Sequence, residues 1–193
     1  MSLPHIIIYG LAALCLLPGA AFAERVKVAL PRTYPGSAPL TVSCVVDAAN
    51  ASGLPLAALV GILATENGRV GEALSNDNGT WDMGPFQVNT IHVGELTAMG
   101  IAPEDVLGNG CVNAYAAAWL LRKEYNRTGD IWLAIGAYHS RKPERSRAYI
   151  ARVKEHLARL DRLARSARGG FASLPSLSDN ALMDTARSAE YGQ

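Results

Sequence analysis

From Leu40 to the neighbourhood of Arg168 the apolar residues recur at helical spacing, with one interruption rich in Gly, Asn, Asp and Ser between residues 67 and 85. Recurrence at three and four residues gives a helix one apolar face, whereas a strand needs alternation, and no run alternates convincingly. The expected fold class is mostly α. Val42, Val45, Val46 and Ala49 mark a first helix, which Gly53 and Pro55 end. A second runs from Leu56 to about Glu66 and stops at Asn67-Gly68. The polar stretch then reads as a long loop, and such a loop inside a compact domain is commonly functional. Asn89 or Thr90 can cap a short helix over 91–99, and Pro103 to Leu107 is one further turn. A strong helix follows over 111–126, and Asp130 caps another lined by Ile131, Ala134, Ile135 and Tyr138. The last is amphipathic, running from Pro143 to about Arg168 with a stripe of Tyr149, Ile150, Val153, Leu157, Leu160 and Leu163.

The N-terminus has another character. Residues 6–17 are an apolar run, followed by Pro18-Gly19 and the small-x-small triplet Ala21-Phe22-Ala23. This predicts a secretory signal peptide, cleaved after Ala23, and hence a periplasmic protein. The n-region departs from the pattern in carrying His5 but no Lys or Arg. The organisation expected is a signal over 1–23, a leader over 24–39, a domain over 40–140, a basic helix over 141–168 and a tail over 169–193. Cleavage removes Cys15 and leaves Cys44 and Cys111. In an exported chain a pair without zinc spacing favours a disulfide, with two buried thiols as the alternative.

The formal net charge is +1, which gives no whole-molecule attraction to nucleic acid. That figure is a cancellation. Residues 24–140 hold seven basic and eleven acidic groups, and residues 141–168 hold ten basic and three acidic. The basic helix is therefore either a solvated face over a core-packed stripe or a peripheral contact with an anionic surface.

One carboxylate is out of place. Glu66 continues the stripe of Leu59, Ile62 and Leu63, at the negative end of its helix dipole. Desolvation and dipole both raise its pKa, as a general acid requires. The alternative is a frayed helix end with Glu66 in water.

Three ordered blocks surround it: Thr65-Glu66-Asn67-Gly68, the run from Asn76 to Asn89, and Ala134-Ile135-Gly136-Ala137-Tyr138. Together they resemble the soluble-lytic-transglycosylase (SLT) domain, a lysozyme-like fold that cleaves peptidoglycan glycan strands. The chain is most similar to the small members that accompany type III or type IV secretion, conjugation or pilus machines. The resemblance implies Glu66 as the catalytic acid and base. It implies substrate-binding roles for Asn67, Gly84, Phe86, Gln87, Asn89, Tyr138 and His139. Asp82 is an auxiliary carboxylate, or else a loop residue bonded to its own backbone. Trp81 is a candidate to line the groove, while Trp119 and Trp132 read as core. Three departures stand out: Asn67 for the usual Ser, Pro85-Phe86 for Leu-Met, and His139-Ser140-Arg141 for Asn-Ala-Gly.

The implied reaction breaks the bond between N-acetylmuramic acid and N-acetylglucosamine and closes a 1,6-anhydro ring on the muramyl sugar. It needs no metal or cofactor. The implied partners are glycan strands and an envelope-spanning secretion, conjugation or pilus apparatus. The rival readings are a hydrolytic lysozyme and a non-catalytic wall-binding assembly protein.

Overall fold

The computed structural model describes residues 38–167. The signal segment, all but the last two leader residues and the tail lie outside them. Helix α1 (Val42–Ala51) opens at Thr41, whose hydroxyl accepts from the Cys44 amide at 3.2 Å. Helix α2 (Leu56–Glu66) follows Pro55 and ends at Asn67, which turns left-handed at φ 49°. Three short strands come next: β1 (Ala73–Ser75), β2 (Trp81–Met83) and β3 (Val88–Asn89). A 3-10 turn over Thr90–His92 leads into α3 (Val93–Ala98), then α4 (Pro103–Gly108). Helices α5 (Gly110–Thr128), α6 (Ile131–His139) and α7 (Pro143–Ala167) complete the described chain. None of these helices is long and apolar enough to cross a membrane. The domain is mostly α, as its periodicity predicts.

Helix α5 is the centre of the packing. Ala114, Ala116, Ala117, Ala118 and Leu121 on it are completely buried, and these small side chains let α1 and α6 approach closely. Leu59 and Ile62 of α2, Phe86, and Ile131 and Ile135 of α6 fill the same core. Burial of each large residue contributes roughly 1.5–3 kcal/mol. Asn109 caps α5 by accepting from the amides of Cys111 and Val112, and Asp130 caps α6 by accepting from Leu133. Cys44 and Cys111 form a disulfide joining α1 to the start of α5 across 67 residues. Closing a loop of that length stabilises by about 4 kcal/mol on the chain-entropy account. Trp119 and Trp132 are half-buried against the core.

One expectation needs correction. The stretch over 67–85 is not simply loop, because it carries β1 and β2 of an antiparallel sheet ordered β1-β2-β3. Strands of two and three residues are too short to show alternation. They form because buried Asn113 of α5 gathers the connection, donating to the carbonyls of Met83 and Val106 and accepting from the Phe86 amide.

Helix α7 seats its apolar stripe on the rest of the domain. Tyr149, Val153 and Leu157 are buried in the common core. Two glycines make room for them. A Cβ on Gly61 of α2 would stand 2.7 Å from a Val153 methyl, and one on Gly136 of α6 would stand 2.9 Å from Ile150. The stripe then divides, since Leu160 and Leu163 are 38% and 55% exposed.

Candidate active site

Glu66 is the last residue of α2, and the chain beyond it is fastened at once. Asn67 can adopt the left-handed conformation with little strain, and its amide donates to the Leu63 carbonyl at 3.0 Å. Gly68 then meets the turn after β2. Its amide donates to the Pro85 carbonyl at 3.2 Å, and a Cβ there would fall on the Gly84 oxygen and Gln87 Nε2. The end of α2 is thereby registered against Gln87, whose side chain donates to the Gly84 carbonyl at 2.8 Å. Gln87 itself has a positive φ of 50°, a conformation that costs a non-glycine residue free energy and clusters at functional sites.

One wall of the site is the sheet. Asp82 lies directly opposite Asn89, and Met83 opposite Val88. Strand alternation sends Met83 and Val88 into the core and the polar pair outward. Asn89 donates to Asp82 Oδ1 at 2.6 Å, and Asn76 donates to Asp82 Oδ2 at 2.9 Å. Asn89 Oδ1 also accepts from the Ile91 amide at 3.0 Å. It is thus both the helix cap expected of it and a groove residue.

The opposite wall comes from α6 and α7. Tyr149 on α7 donates from its hydroxyl to Glu66 Oε1 at 2.6 Å. The His139 ring stacks on Tyr149 with centroids 4.7 Å apart, and the Arg152 guanidinium lies 5.4 Å from the centroid of the same ring. Between the walls runs a groove of about 560 Å³ lined by Glu66, Asn76, Asp82, Gln87, Asn89, Tyr138, His139 and Arg145, among others.

The electrostatics follow from this enclosure. Burial raises the Glu66 pKa, the Tyr149 hydrogen bond lowers it, nearby Asp82 raises it and Arg152 lowers it, with burial the largest influence and the net shift upward. Tyr149 is pushed far upward by burial and by the charge of Glu66, so it remains a donor. Burial, then Arg152 and Arg145, lower His139, which keeps its ring neutral near pH 7. A carboxyl that stays protonated above the ordinary range, held by one donor and open to a groove, can deliver a proton to a bound oxygen.

The structure brings Glu66, Asp82, Gln87, Asn89, Tyr138 and His139 to one groove, and four other expected residues do not face it. Phe86 is completely buried and serves through its backbone. Gly84 is buried too, with φ 67°, and a Cβ on it would stand 2.6 Å from Asn113. Asn67 is exposed at the helix end and does not line the groove. Trp81 is half-buried against the core and does not line it either. Tyr138 lines the groove, and its hydroxyl donates to the Phe86 carbonyl at 2.8 Å rather than to Glu66. The residue that holds Glu66 is Tyr149, which its place in an apolar stripe concealed.

Two further residues escaped the sequence reading. Asn113 sits among alanines on α5, and nothing local announces its loop-gathering role. Glu124, almost fully buried, receives Arg127 at 2.8 Å and also pairs with Arg141. Burial pushes Glu124 up, but the hydrogen bonds and charges of Arg141 and Arg127 outweigh it and hold the carboxyl below its usual range. Arg141, one of the three departures after Tyr138, thus ties the α6–α7 connection to α5.

Comparison with known proteins agrees with this geometry. Residues 43–158 match the family described as "Transglycosylase SLT domain". The chain is similar to the invasion protein IagB of Salmonella typhi, 29% identical over 93 residues, which is 46% of this chain and 58% of that one. It is 33% identical to protein IpgF of Shigella flexneri over 88 residues, 45% and 58% of the two chains. It is 39% identical to the X polypeptide of Escherichia coli over 64 residues, 32% and 38%. The chain therefore spans little more than half the length of these relatives, or less. The family match covers most of the described residues and reaches Tyr149: the chain belongs to the transglycosylase SLT domain family.

Proposed function

We propose that this protein is a peptidoglycan lytic transglycosylase in which Glu66 acts first as acid and then as base. The observation that carries the reading is the environment of Glu66: a half-buried carboxyl with a raised pKa, donated to by Tyr149 and opening on a polar groove. Protonated Glu66 gives its proton to the oxygen linking N-acetylmuramic acid to N-acetylglucosamine. That bond breaks, and the muramyl C1 gains oxocarbenium character. Ionised Glu66 then takes the proton from the muramyl C6 hydroxyl as that oxygen bonds to C1, giving the 1,6-anhydro ring and restoring the acid. The intramolecular hydroxyl competes well with water because its effective concentration is high.

Asp82 supports ring closure over double displacement. Both of its oxygens accept side-chain amide hydrogen bonds, which hold it as a fixed negative charge beside the cationic centre and weaken it as a nucleophile. Gln87, Asn89 and His139 orient the sugar amides and hydroxyls.

The protein acts in the periplasm after export through its N-terminal signal. Similarity to a protein named for invasion supports local opening of the wall for an envelope-spanning secretion, conjugation or pilus machine. Digestion of purified peptidoglycan, with the fragments weighed, tests the chemistry. Anhydro fragments, one water lighter than reducing-end fragments and absent with Glu66→Gln, are expected. Reducing ends would make the enzyme a hydrolytic lysozyme, and no release by the wild type would leave a wall-binding protein.

A further inference from the structure

The groove and its rim carry opposite charge. The acidic groups Glu66, Asp77 and Asp82 line the groove, Glu66 and Asp82 half-buried and Asp77 exposed, which suits uncharged sugars and a developing cation and would repel carboxylates. Arg145 also lines the groove and is exposed to solvent. Seven residues on, Arg152 lies against the Tyr149 ring that holds Glu66. Seven further on is Arg159. Seven residues are close to two helical turns, so the three side chains fall on one face of α7, each step about 10.5 Å along the axis.

All three arginines are exposed, and none is ion-paired among the described residues. Arg127, Arg141 and Arg165, by contrast, pair with Glu124, Glu124 and Asp161. Even Glu155, four residues before Arg159, makes no ion pair with it. A row of available guanidinium groups that begins at a sugar groove fits a ligand whose anionic groups branch from a neutral chain. Peptidoglycan has that construction, with neutral sugars in the strand and free carboxylates on the peptide stems of the muramyl residues.

We propose that Arg145, Arg152 and Arg159 form a cationic rim that engages the stem carboxylates, so that the enzyme prefers peptide-bearing glycan to glycan stripped of its stems. The inference rests on the transglycosylase reading of Glu66 and adds the part of the substrate that the groove itself does not select. The guanidinium fork pairs with a carboxylate through two parallel hydrogen bonds.

The test compares full-chain protein on two substrates: glycan strands carrying their stems, and the same strands after an amidase has removed the stems and the lactyl carboxylate this frees has been capped as a methylamide. Arg145 and Arg159 are replaced together by Ser, and Arg152 is kept because its charge also acts on Glu66. The ratio of kcat/KM for peptide-bearing over stripped strands should fall about tenfold, mainly through KM, as expected for two partly exposed charge pairs. Arg145→Lys with Arg159→Lys should keep most of the preference, and added salt should erode it in the wild type. A ratio unmoved by the Ser variant, or an equal loss on both substrates, overturns the rim. So does a variant that loses binding to phosphatidylglycerol vesicles while the ratio stays fixed, which would assign the arginines to a lipid surface. Wild-type protein that cleaves neither strand overturns the reading of Glu66 itself.

Discussion

The two walls of the groove are built by different means. The sheet wall is short-range and polar: Asp82, Asn76 and Asn89 hold one another, and Asn113 and two close-packed glycines at 68 and 84 hold the turn beneath. The α7 wall is long-range and largely apolar, seated by Tyr149, Val153 and Leu157 on glycines of α2 and α6. The sheet wall supplies groups that face the sugar. The α7 wall supplies the hydroxyl, 83 residues away in sequence, that fixes the acid. Substrate contact and acid alignment are therefore assigned to parts of the chain that fold against different neighbours, and each can be damaged without the other.

The largest expected effect is on the residue both walls serve. Glu66→Gln should lower turnover by at least about 100-fold, while the fold survives, because the new amide oxygen still accepts from Tyr149. The same variant should be more stable than wild type at neutral pH. A carboxyl whose folded pKa is raised binds more protons in the native state than in the unfolded one, so its stability contribution falls as pH rises above the ordinary 4.5. Thermal unfolding should show the advantage of Gln near pH 7 and its disappearance below about pH 4.5, measured across that range.

Next comes the seat of α7. Gly136→Val should wedge α6 from α7 against Ser146 and Ile150, costing about 1–3 kcal/mol and much of the activity, with the sheet wall left in place. Chemical denaturation paired with turnover measures both. A variant with full activity would show that α7 does not align the acid. A smaller effect is expected at Arg141→Ala, which leaves buried Glu124 with Arg127 alone and should cost roughly 1–2 kcal/mol. The same denaturation assay should find turnover at saturating substrate little changed.

Legibility in the sequence follows the same division. Helix positions, the caps at Asn89 and Asp130 and the stop at Asn67-Gly68 are local signals, and they could be read. The position of Glu66 on an apolar stripe was also readable, because an acid there contradicts its surroundings. Strands β1 to β3 were not, since their pairing depends on Asn113 and on chain closure rather than on their own pattern. Tyr149 was hidden for the opposite reason. It fits its stripe so well that only the packing of α7 on α2 reveals that its hydroxyl ends at a carboxylate. The departure at Arg141 looked like drift near a substrate contact, and its meaning lies in a partner on α5.

The alkaline limb of the pH–rate profile of Tyr149→Phe tests most directly whether α7 belongs to the active site. Phe keeps the ring that stacks on His139 and removes only the donor to Glu66. That donor favours the ionised carboxylate, so its loss should raise the Glu66 pKa further. The limb, which reports loss of the protonated acid, should move to higher pH, and the maximal rate should fall by about tenfold as the carboxyl loses its anchor. A profile superimposable on that of the wild type, at the same maximal rate, would contradict the account.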